Sequence, residues 1–262
     1  MTPLDSPSLY PVPPRRGIPT PAEVQARTGL RRRYVPPILG PDRHPGALYW
    51  LDTCVALAFA HASQLGLLAA HYGDSLVVVE DVHREADSIA HRPIPPLPRD
   101  ATALERADRQ RRVAVKDAAR ALCAGSGLRT IGPAISIPLT AANRVLELRY
   151  ELAGLPQAEP PPDLGDLWRH RGEAAIVCAY ELRRDDSGGS LPSAMLSNDG
   201  KARLLAKVYG MAGRTAADVL REMVRAGTGN LVTNDAWALY CEMRQVSELP
   251  DGDGPSGPGD LN

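Results

Sequence analysis

The chain has 262 residues, 44% of them apolar, and its 30 Lys and Arg against 31 Asp and Glu leave a net charge of −1. That length and apolar content support a proper buried core, with little aromatic material beyond three Trp, eight Tyr and one Phe. The balanced charge excludes a polycation that binds nucleic acid through a global field, so any such binding must rest on local basic patches.

Four well-separated cysteines (Cys54, Cys123, Cys178 and Cys241) lack metal-ligand spacing and argue against a disulfide framework. Buried free thiols in a reducing cytoplasm are expected. No secretory leader is read at the amino end, and no apolar stretch reaches bilayer length.

Residues 1–46 hold 11 of the 25 prolines and seven arginines against three acids. Proline blocks helix and ladder pairing, so this segment is predicted to be a largely disordered arm. Within it, Thr20-Pro21-Ala22-Glu23 has capping-box spacing with a proline in the first turn, which predicts a short helix to about Leu30. Arg31, Arg32 and Arg33 follow as a basic segment suited to phosphates. The Thr28-Gly29-Leu30 step is also similar to the turn of a helix-turn-helix.

From Ala47 the pattern changes. Ala47–Leu51 reads as a short buried strand ending on Asp52, and apolar residues at helical spacing predict one helix from Thr53 to Tyr72. Ser75–Val79 is a β-branched second strand. It leads into Glu80 and Asp81, read as first-turn acids, and then Glu85, which shares a helix face with Val82 and Ile89 and so points inward. A Pro-rich loop at 92–100 precedes a helix over 101–124 that carries Arg106, Arg109, Arg111, Arg112 and Lys116. A strand around 129–139, interrupted by Pro133, belongs at an edge or bulge, and a helix follows over 140–153. Residues 92–165 together read as a helical insertion.

Beyond a second Pro-rich loop, Gly172 permits a tight turn, and Glu173 opens a helix of small residues able to lie close to a sheet. Ala194–Ser197 is the last core strand, followed by Asn198 and by Asp199 as a helix N-cap. Helices are predicted over 216–226 and 235–246. Residues 248–262, with four acids and no base, are predicted to be a disordered tail. The main domain therefore spans 47–247.

Asp52, Glu85, Glu173 and Asp199 each stand at a strand end or early in a helix, where open α/β folds place their ligand sites. Four carboxylates at one sheet edge cannot all stay ionised without a counterion. Oxygen-only donors point to a hard divalent cation, Mg2+ or Mn2+, rather than zinc or copper. Thr53 and Ser197 offer hydroxyls to orient a carboxylate or a water. Such a site activates water and steadies the leaving oxygen in phosphodiester hydrolysis.

The stretches LDTCVALAFA around Asp52, VVVEDVHREAD around Glu85, GEAAIVCAYEL around Glu173 and LSNDGKARLLAKVYGM around Asp199, then GRTAADVLREMV, resemble the PIN-domain ribonucleases over roughly residues 47–226. The resemblance implies an α/β fold, a three-layer α/β/α sandwich with a small, mainly parallel central sheet. It implies a metal-dependent endoribonuclease of RNA, single-stranded or structured, in the manner of the toxins of toxin–antitoxin pairs. Asp52, Glu85, Glu173 and Asp199 become the catalytic, metal-binding acids, with Arg31–Arg33, Arg109, Arg112 and Lys116 as RNA tracks. An antitoxin protein and a second copy of the chain become candidate partners, with no membrane. Two positions depart from the family: Cys54 stands where Asn or Ser is common, and Asn198 where some members carry another Asp. Two rival readings are a PIN-like binding or regulatory module without turnover, and a DNA-binding regulator led by residues 20–34.

Overall fold

The computed structural model describes Leu39 and residues 42–124, 134–153, 170–187, 191–247 and 255–261. The arm with its arginines Arg31, Arg32 and Arg33, and the helix-turn-helix-like segment at 20–34, lie outside the described residues. What is described is an α/β protein, a three-layer α/β/α sandwich around a five-stranded, all-parallel sheet.

In chain order, β1 (Leu48–Leu51) runs into α1 (Thr53–His61) and α2 (Leu65–Tyr72), and β2 (Leu76–Val79) into α3 (Glu80–His91). The 21-residue α4 (Ala103–Cys123) starts on a capping box between Thr102 and Glu105; β3 (Ala134–Ile135) and α5 (Ala142–Ala153) follow. Then come α6 (Arg171–Asp186), β4 (Ser193–Leu196), α7 (Gly200–Val208), β5 (Ala212–Arg214), α8 (Ala216–Ala226) and α9 (Thr233–Met243).

The strand order is β3-β2-β1-β4-β5. The chain builds outward from β1 to one edge, then returns to lay β4 against the other side of β1. Consecutive crossovers therefore leave β1 and β4 in opposite directions, which opens a crevice at their carboxyl ends. Leu51 pairs with Leu196, so Asp52 and Ser197, the next residue on each strand, come out side by side. The three central strands are buried almost throughout, as parallel strands covered on both faces must be.

Several expectations are corrected. The single helix over 53–72 breaks into α1 and α2, with Ser63 at φ 55 in the turn between them. A strand at 212–214 was not anticipated: three residues including Gly213 carry too little pattern. Gly213 is needed there because a Cβ would sit 2.8 Å from Cβ of Arg203, which crosses the strand. The described parts of the expected insertion, residues 92–124 and 134–153, pack into the sandwich. Here α4 packs against α1 and α3, α5 packs against α6, and β3 completes one edge of the sheet.

Order also extends past both expected domain boundaries. Arg43 donates to the backbone carbonyls of His71 and Tyr72. At the other end, Pro258–Leu261 forms a 3-10 turn against α8 and α9, with Leu261 fully buried. The four cysteines are free, but only Cys178 is fully buried and Cys241 is exposed. Although aromatics are few, the largest fully buried side chains include Trp50, Tyr49, Tyr72, Tyr180, Tyr240 and Phe59. Among the described residues, no helix is long and apolar enough to cross a membrane.

Candidate metal centre and its cleft

The crevice beside β1 and β4 gathers all four expected acids. Asp52 ends β1 and caps α1, Glu173 lies in the first turn of α6, and Asp199 caps α7. Glu85 reaches in from α3. Three helix amino termini thus point at one region, and their macrodipoles offset part of the cost of holding carboxylates there.

Asp52 is 1% exposed. Its Oδ1 accepts from the Thr53 amide (2.7 Å), and its Oδ2 from Ser197 Oγ (2.7 Å) and Cys54 Sγ (2.9 Å). These donors are neutral and do not cancel the charge. Burial, aided by the negative charge of Glu173, pushes the carboxyl up to about 7 despite those hydrogen bonds. Cys54 stays a protonated donor, because burial and then Asp52 hold its thiol well above its ordinary value. Its sulfur also accepts from the Asn198 amide at 3.1 Å. Cys54 thus serves as a donor to Asp52.

The expected hydroxyls both orient carboxylates. Thr53 Oγ1 donates to Glu85 Oε2 at 2.8 Å, while Ser197 Oγ holds Asp52 and accepts from the Asp199 amide at 3.1 Å. Asp199 Oδ1 accepts from the amides of Lys201 and Ala202. Asn198, the second departure, is turned away from this chemistry. Its amide nitrogen donates to Ser247 and its oxygen accepts from the Ala216 amide, so it ties β4 to α8 and to the chain beyond α9.

Gly172 has a different purpose from the expected turn. It lies inside α6, where a Cβ would stand 2.6 Å from Glu85 Oε2 and 3.3 Å from both Thr53 Oγ1 and Val82 Cγ2. A bare Cα lets α6 lie close to α3 and α1 without displacing the Glu85 carboxylate. Asp81 is the first-turn acid expected, and it also forms a part-buried ion pair with Arg171 that clamps α3 to the start of α6. Glu80 pairs with Arg84 and accepts from Ser136 beside the edge strand.

One ligating oxygen from each of Asp52, Glu85 and Glu173 lies within 4.8 Å of the others, and His170, Glu173 and Asp199 form a second such group. Glu173 Oε2 is buried and no hydrogen-bond donor reaches it among the described residues. A buried anionic oxygen facing other carboxylates is costly unless a cation answers it. The hard oxygen donors, the orphaned Oε2 and the glycine that admits the acids fit Mg2+ or Mn2+.

Glu173 and Asp199 line an open cleft of about 1160 Å³ together with Arg92, Arg111, Arg112, Lys116 and Arg244, while Asp52 and Glu85 are not part of its lining. Arg112 and Lys116 are where the sequence placed them. Arg109 does not line the cleft: Asp108, Arg111, Arg112 and Val115 recur at helical spacing along one face of α4, and Arg109 is turned about 100° from Asp108. Sequence reasoning missed Arg92 and Arg244, which come from outside α4, and it missed His170. The spacing of His170 and Glu173 was the available signal for the latter, since residues three apart share a helix face. No family model matches the chain, and no curated protein or solved structure matches it significantly.

Proposed function

We propose that the chain is a metal-dependent endoribonuclease, in line with its resemblance to the PIN-domain ribonucleases. The observation that carries this reading is the meeting of Asp52, Glu85 and Glu173, where Glu173 has one oxygen without a donor among the described residues and itself lines a cleft that also holds arginine and lysine. Negative and positive groups in one cleft suit a polyanion whose backbone is held while one phosphodiester is attacked. The cleft also exceeds the roughly 300–1000 Å³ typical of small-molecule sites.

Asp52, Glu85, Glu173 and Asp199 would hold Mg2+ or Mn2+. When bound, the cation supplies charge to make water nucleophilic at neutral pH and to steady the departing oxygen. The protein's own groups do the rest. Ser197, Cys54 and Thr53 fix the Asp52 carboxylate by three hydrogen bonds, and Thr53 fixes Glu85. Arg111, Arg112, Lys116, Arg92 and Arg244 line the cleft and would take phosphates along it. Helix amino termini at Asp52, Glu173 and Asp199 add backbone dipoles that favour negative charge. No side chain is required to form a covalent intermediate.

The test is cleavage of a mixed single-stranded RNA by the purified chain with Mg2+, Mn2+ or EDTA, beside Asp52→Asn. Cleavage by the wild type that EDTA abolishes and the variant lacks is expected, with a loss of about 10²-fold or more. Mn2+ that raises the melting temperature without any RNA turnover would instead support the silent binding module.

A further inference from the structure

We infer that the segment joining α3 to α4, Arg92-Pro93-Ile94-Pro95-Pro96-Leu97-Pro98-Arg99, is a docking ligand for a partner protein whose groove is lined by aromatic rings and rimmed by acids. The inference stands apart from the nuclease reading, since it needs neither metal nor RNA.

Four of these eight residues are proline, whose ring holds φ at about −65°. Arg92, Ile94, Pro95 and Leu97 each precede a proline, which drives them to extended backbone. Arg92 has φ −60 and ψ 128, in keeping with that. Local sterics thus commit the segment to a polyproline II helix, with three residues per turn and a length of about 25 Å. Burial follows the same period. Ile94 and Leu97 are half-buried, while the other six residues are exposed. One edge of the three-sided helix is therefore turned to the protein. The two edges facing solvent carry Arg92, Pro95 and Pro98, and then Pro93, Pro96 and Arg99.

The fold holds the ends of this segment and leaves its middle untouched. Lys116 Nζ donates to the Arg92 carbonyl at 2.7 Å, and the Ala101 amide donates to the Pro98 carbonyl at 3.2 Å. From Pro93 to Leu97 no hydrogen bond is made among the described residues. Such a segment is already in the shape that aromatic-lined grooves accept, so docking costs it little conformational entropy. Proline offers neither a charge nor an N–H to a phosphate, so the proline edges suit a protein rather than a nucleic acid. Arg92 and Arg99 place a positive charge at each end, which calls for acids at the rim of the groove. Arg92, Pro93 and Ile94 also line the cleft, so a partner seated here stands at its mouth.

The experiment titrates the purified full chain, without metal or RNA, into an isotopically labelled SH3 domain that binds free Arg-x-x-Pro-x-x-Pro peptides. Nuclear magnetic resonance reads the outcome. Shifts at the aromatic groove are expected, with an affinity at least equal to that of a free peptide of residues 90–101, since the chain holds the segment extended. Pro95→Ala combined with Pro98→Ala should weaken binding about tenfold or more. Arg92→Gln combined with Arg99→Gln should weaken it and flatten its salt dependence. All four positions are exposed, so the melting temperature should stay near that of the wild type. Binding that survives the paired proline changes overturns the proposal, because another proline-rich stretch of the chain is then the ligand. Binding of the free peptide but not of the chain also overturns it, since the segment is then only a strap between two helices. Absence of shifts with both chain and peptide does the same.

Discussion

Where α2 meets α8, Glu222 is buried against Arg214, and Arg214 lies over the Tyr49 ring and also donates to the Asp42 carbonyl. At the carboxyl ends of β1 and β4, Asp52 is buried as deeply but meets only neutral donors, and Glu173 Oε2 meets none. Both regions take carboxylates out of water. The first supplies its own cation, and the ring of His71 fits around that pair. Burial and the nearby Arg43 and Arg214 hold His71 down to about 4, so it is neutral, accepting from Thr228 Oγ1 and donating to Glu222 Oε1. The second region leaves its charge unanswered among the described residues. A cluster neutralised from within holds the fold, and the proposed function has a cation answer the other.

The sharpest way to break this comparison is to remove the internal cation. Arg214→Met strands Glu222 and should cost about 3–5 kcal/mol in urea denaturation, while the added change Glu222→Met should recover most of the loss. If the single variant is as stable as the wild type, the two regions do not differ in the manner described.

Gly172→Ala probes the other region, with a smaller effect on stability, about 1–3 kcal/mol. The new methyl would meet Glu85 Oε2 first, at 2.6 Å, and that oxygen sits at the end of a movable side chain. The larger change should therefore be in the rise of melting temperature with Mn2+, which shrinks as Glu85 is pushed from Asp52 and Glu173. An undiminished Mn2+ response would remove Glu85 from the cation group.

The smallest effect is a pH dependence in which the two regions pull in opposite directions. Asp52 sits at about 7 when folded, against 3.8 as a free group, so without metal it lowers stability as pH rises from about 4 to about 7. His71 sits at about 4 against 6.5, so stability is lost as pH falls from 6.5 toward 4. In EDTA the two slopes partly cancel. Asp52→Asn should unmask the His71 slope, with the variant's advantage over the wild type growing to on the order of 1 kcal/mol by pH 8. Urea midpoints measured from pH 4 to 8 check this, and a difference that does not widen with pH contradicts the strain at Asp52.

Local pattern was enough to find β1, β2 and β4, because each is a short apolar run between polar turns, and the placement of Asp52, Glu85, Glu173 and Asp199 followed from those runs. The same reasoning failed where the signal was short or shared. Ala212–Arg214 is three residues with a glycine in the middle. Ser63 breaks a run whose hydrophobic spacing continues through it. Asp81 is the first-turn acid its sequence suggests, but its part-buried pairing with Arg171 depends on the approach of a distant helix.

The sequence by itself determined the alternation of strands and helices, the α/β class and the four acids at element ends, since these depend on neighbours a few residues apart. Only the tertiary structure decided which strands lie side by side, and hence that β1 and β4 open the crevice between them. It alone set Cys54 and Ser197 on Asp52, demanded glycine at 172, turned Arg109 off the cleft and brought His170 to Glu173 and Asp199. Each of these is a distance between atoms on separate elements, fixed by how the helices pack on the sheet, and no local pattern encodes it.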